Sequence, residues 1–105
     1  DTAPLTARSL QVIELCDAFL AHPLDEAPRR ALVDALVRTD PQFGNAADSS
    51  TARIEALRRQ GSIEATIARE RLEDRSGRSS RSSAVFAVRQ LRLTASELLE
   101  ALQLE

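Results

Sequence analysis

The chain holds one cysteine, Cys16, one histidine, His22, and no tyrosine. A thiol activated by an imidazole could therefore only be this pair. Six residues apart on a helix, they stand about 120° of rotation from each other and do not meet. Cys16 falls on an apolar face and reads as a small buried hydrophobe. His22 reads as the residue closing a first helix, where partial positive charge is favoured. Zinc requires three or four gathered Cys, His or carboxylate ligands, and no such cluster is present. Glu70 and Asp74 share a helical face, but Arg69, Arg71 and Arg75 flank them, which makes a solvated, mutually screened surface. The three glycines are scattered and form no phosphate-cradling loop. These absences lead to an expectation of no enzymatic activity, no metal and no cofactor.

The one strong electrostatic feature is basic. Arg75, Arg78, Arg81, Arg89 and Arg92 fall within eighteen residues with no acid among them. Arginine and serine together suit phosphate oxygens, and a serine-rich turn ahead of a helix adds backbone N–H donors. This is the nucleic-acid reading. A regulatory reading takes Arg78-Ser79-Ser80 and Arg81-Ser82-Ser83 as kinase sites, where added phosphate would cancel the local charge. The plain reading is a solvated linker. A helix–turn–helix outline around Gly61-Ser62 fails on charge, because the would-be recognition helix carries Glu64, Glu70, Glu73 and Asp74 against Arg69 and Arg71. Phe43, set among Pro, Gly and Asn, either plugs the end of a helical bundle or stands out as an aromatic anchor for a partner.

Charge is uneven along the chain. Residues 1–50 carry four arginines against eight acids, residues 51–93 ten against five, and the last twelve residues three glutamates. The 105 residues are 43 % apolar with a net charge of −2, which suits one domain with its own core. Cys16 has no partner for an intramolecular disulfide, and no apolar run reaches the ~20 residues needed to span a bilayer. All fourteen basic residues are arginine, and alanine and leucine supply 32 residues, the bias of a GC-rich coding sequence. A cytoplasmic location in a GC-rich bacterium is expected. A lysine-free surface also escapes ubiquitination, as would suit delivery into a eukaryotic host cell. The first residue is Asp1, and a domain excised from a longer protein is expected over residues 1–105.

The elements that must position these residues are helical, since apolar spacing near 3.6 residues runs almost throughout. Thr6 can cap a first helix to about Ala21, with Val12, Ile13, Leu15, Cys16, Phe19 and Leu20 on one side. Pro23 ends it. Asp25 can cap a second helix to about Arg38, whose narrow polar stripe predicts neighbours on both flanks and a central place. Residues 39–50 read as a loop around Phe43. A third helix spans about 51–60 with Gly61 as its stop. Ser62 opens a fourth to about Asp74, with Ile63, Ile67 and Leu72 facing inward. Residues 75–83 read as a flexible Arg/Ser loop. A fifth helix, about 83–93, carries Val85, Phe86, Val88, Leu91 and Leu93 nearly all round and is expected to be well buried. Thr94-Ala95-Ser96-Glu97 has the form of a capping box opening a last helix.

The expectation is an all-α single bundle of five to six short helices. It acts as a non-catalytic protein–protein interaction or adaptor domain, with another protein as partner, no membrane and no small-molecule substrate. Its contact residues are Phe43, Arg75, Arg78, Arg81, Arg89 and Arg92. The alternative is a nucleic-acid-binding domain using the basic 75–92 stretch.

Overall fold

Proline at position 4 sets where the first helix begins, because its fixed φ fits a first turn and its missing N–H is not needed there. Helix α1 spans Ala3–Ala21. Thr6 is therefore one turn inside it and is not the cap; its hydroxyl donates back to the Thr2 carbonyl at 3.1 Å. His22 closes the helix as expected, its backbone N–H donating to the Phe19 carbonyl at 3.1 Å. Helix α2 follows over Glu26–Thr39, with Pro28 tolerated in its first turn. The computed structural model describes residues 2–39, 43, 51–76 and 80–104. Among them the chain forms four helices and no strand.

The remaining two helices correct the sequence reading. Helix α3 runs unbroken over Ala52–Glu73, capped by Thr51, whose hydroxyl accepts from the Ile54 N–H at 3.2 Å. Gly61 does not stop it. It lies inside the helix, on the buried side where the Phe43 ring packs, and a Cβ there would stand in ordinary contact with that ring, 3.4 Å from Phe43 Cγ. Helix α4 runs unbroken over Ser80–Gln103. Thr94 opens no new helix, because its side chain is buried and its hydroxyl is spent on the Glu64 carboxylate across the α3–α4 interface. A hydroxyl used that way cannot reach back to a backbone N–H. Two expected breaks are absent, and the expected five or six helices are four.

Once the helices are continuous, the inward stripes follow. On α3 they are Ile54, Leu57, Arg58, Gly61, Ala65, Ala68 and Leu72. On α4 the stripe includes Ala84, Ala87, Ala95 and Ala101 between larger Val88, Leu91 and Leu98. The small residues let neighbouring helices approach closely. Helix α4 makes the broadest contacts, with α3 on one side and α1 on the other, while α2 packs on α1 and α3. The central helix is thus α4. Helix α2 has the two neighbours expected of it but leaves Val37 exposed. The assembly measures 42 × 19 × 19 Å.

Phe43 is 1 % exposed and belongs to the core. It plugs the bundle, with the Arg58 guanidinium donating to its carbonyl at 3.4 Å. An anchor for a partner must be accessible, so Phe43 is removed from the candidate contact residues. Of the expected 39–50 loop, Thr39 ends α2, and 40–42 and 44–50 lie outside the described residues. Cys16 is fully buried, and burial, with Asp17 adding to it, pushes its thiol up to about 12. A thiol held protonated in the core is not a nucleophile. No helix among the described residues is long and apolar enough to cross a membrane.

Candidate functional site

The basic stretch does not form one surface. Arg75 is held by a two-pronged ion pair to Glu26 at the start of α2, at 3.0 and 2.6 Å. Arg92 is held in the same way to Asp17 of α1, at 2.6 and 3.3 Å. Acids far away in sequence therefore engage two of the five arginines. Arg81 lies at the beginning of α4 near Arg75, Arg89 is exposed further along it, and Arg78 lies outside the described residues.

What the structure does bring together is apolar. Phe86 is 65 % exposed, Ile63 61 %, Leu93 52 % and Ile67 39 %. These four were expected inside. With α3 continuous, Ile63 stands two residues beyond inward-facing Gly61, about 200° round the helix. Likewise Leu93 stands two residues beyond buried Leu91, and Phe86 five before it, on the outer side of α4. The periodicity of the whole helices, 52–73 and 80–103, carries the signal that sets these residues outward.

Ile67 of α3 and Phe86 of α4 border a groove, and exposed Ile63 and Leu93 continue the same helices one and two turns further on. Its floor is a cavity of about 290 Å³ lined by Glu64, Ile67, Arg71, Phe86, Ala87 and Gln90. Polar clasps across the helices hold both ends. Toward one end Gln60 donates to the Thr94 hydroxyl at 3.3 Å and that hydroxyl donates to Glu64. At the other, Arg71 donates to the Ser83 hydroxyl. The clasps fix the spacing of α3 and α4, so the groove is formed before anything binds.

Glu64 is the one titratable group in this groove with a raised pKa. Partial burial is the main cause, opposed by the hydrogen bonds from Thr94 and Gln60 and assisted by Glu97. A carboxyl that holds its proton to higher pH when folded favours folding at acid pH, and that contribution is lost as pH rises through the window above the ordinary glutamate value. Glu64→Gln mimics the protonated form. The variant is expected to match the wild type in Tm at about pH 4 and to exceed it near neutrality. Thermal melts of both proteins at the two pH values check this, and a gap that closes as pH rises would contradict it.

No family model matches this sequence, and no curated protein and no solved structure is significantly similar to it. Among the described residues no group of three or more His, Cys, Asp or Glu is placed to hold a metal ion.

Proposed function

We propose that this domain is a protein-docking module whose contact face is the α3–α4 groove, and that it receives an amphipathic helix of a partner protein. The observation that carries the reading is the pair of exposed apolar side chains Ile67 and Phe86 that face one cavity between α3 and α4, with exposed Ile63 and Leu93 one and two turns along the same helices. Scattered exposed apolar residues need no explanation, and Leu10, Leu24, Val37 and Leu104 are of that kind. Several gathered along two packed helices are a different matter, since contiguous exposed apolar patches mark interaction sites. Phe86 to Leu93 covers about 10 Å, or two helical turns. A bound helix with anchors at i, i+3 or i+4, and i+7 matches that length.

The nucleic-acid reading is less well supported, because the basic residues do not gather on one face: Arg75 pairs with Glu26 of α2 and Arg92 with Asp17 of α1. The docking reading is tested by selecting a displayed library of random amphipathic helical peptides against the folded domain. The expected result is enrichment of sequences with apolar anchors at helical spacing that bind the wild type and not Phe86→Asp. Enrichment that is indifferent to Phe86→Asp, or none at all, would contradict the proposal.

A further inference from the structure

At the end of the bundle where α1 gives way to α2 and α3 to α4, three guanidiniums from three different segments converge. Arg29 comes from α2, Arg75 follows α3, and Arg81 begins α4. They line a cavity of about 420 Å³ together with Pro23, Leu24, Glu26, Asp74 and Ser80. That volume exceeds one tetrahedral anion and falls in the range of small-ligand pockets, roughly 300–1,000 Å³.

The guanidiniums are held in place by the fold. Arg29 donates to the Leu72 carbonyl at 2.6 Å and lies over the Phe19 ring, 5.6 Å from its centroid. Arg75 is clamped by Glu26. Arg81 is exposed. Of the two carboxylates, Asp74 is turned to the backbone N–H and hydroxyl of Ser76. Glu26 fills the fork of Arg75, as an anionic ligand would. The balance stays positive. Burial first, and then the charges of Arg75 and Arg81, lower the proton affinity of Arg29, against the opposing pull of Glu26. Pro23 and Leu24, the latter 68 % exposed, give the rim an apolar side.

We propose that this cavity binds the dianionic phosphoryl group of a small phosphate monoester, with Arg29, Arg75 and Arg81 on its oxygens and the organic part against Pro23 and Leu24. Guanidiniums match such oxygens with paired, charge-assisted hydrogen bonds. Glu26 competes for Arg75, so the site is tuned for a ligand carrying two charges. The site is separate from the α3–α4 groove and does not depend on it.

The test uses the whole 105-residue domain and three probes: O-phosphoserine, inorganic phosphate and a short single-stranded oligonucleotide. Each is titrated while the arginine Nε–Hε resonances are followed by two-dimensional NMR. The expected result is saturable shifts at Arg29, Arg75 and Arg81 with O-phosphoserine, weaker ones with inorganic phosphate, and none specific to these residues with the oligonucleotide. Arg81→Ala is expected to weaken O-phosphoserine about tenfold, the size of one hydrogen bond to an ionised group. Glu26→Gln is expected to tighten it, and Arg89→Ala to leave it unchanged. Shifts that never saturate, or that spread equally to Arg8, Arg59 and Arg89, would overturn the proposal. So would tighter binding of the oligonucleotide, or a Glu26→Gln variant that binds O-phosphoserine no better.

Discussion

Replacing Phe43 with alanine is expected to destabilise the fold by about 3–5 kcal/mol, as for other fully buried phenylalanines. The ring is closed in by the core and lies against the backbone of α3 at Gly61, where a Cβ would already stand 3.4 Å away. Removing the ring leaves a void in the core beside α3. Domains of this size are stable by only about 5–15 kcal/mol, so the loss is a large share of the whole. Urea unfolding followed by circular dichroism measures it. A cost below about 1 kcal/mol would mean that Phe43 is not the plug described here.

The second large effect concerns binding. Phe86→Asp is expected to weaken a helical peptide that occupies the groove by about 30-fold or more, the scale of an aromatic hot spot worth ~2 kcal/mol. The same substitution is expected to leave Tm nearly unchanged, because the ring is mostly in water and its removal opens no cavity. Phe43 and Phe86 therefore form a contrasting pair. One variant loses stability and the other loses its partner, which separates a binding defect from a folding defect.

Much of the fold is legible in the chain. The helical periodicity, the end of α1 at His22-Pro23, the start of α3 near residue 51 and the burial of Cys16 all follow from local rules. The two misplaced breaks do not, and for a common reason. Gly61 and Thr94 carry local signals for ending and starting helices, but tertiary contacts outweigh them. The Phe43 ring packs on α3 at Gly61, and Glu64 accepts from the Thr94 hydroxyl. Helix ends are decided by such partners when the competing local preference is worth only about 1 kcal/mol.

The candidate site is hidden for a related reason: taken as separate short helices, 62–74 counts Ile63 and Ile67 as its inward residues, and 83–93, apolar nearly all round, counts Phe86 and Leu93 as buried. The arginine cluster failed differently. Its charges are plain in the chain, but the acids that engage Arg75 and Arg92 lie 49 and 75 residues away and meet them only in three dimensions. That same folding brings Arg29, which lies far outside the basic stretch, beside Arg75 and Arg81.

The most direct measurement of the central claim is methyl and amide NMR of the domain, free and with a helical peptide selected on it. The account predicts perturbations concentrated at Ile63, Ile67, Gln90 and Leu93, with Leu24 and Val37 unmoved. Perturbations centred on Leu24, Val37 or the α1–α2 turn instead would place the docking face elsewhere and contradict it.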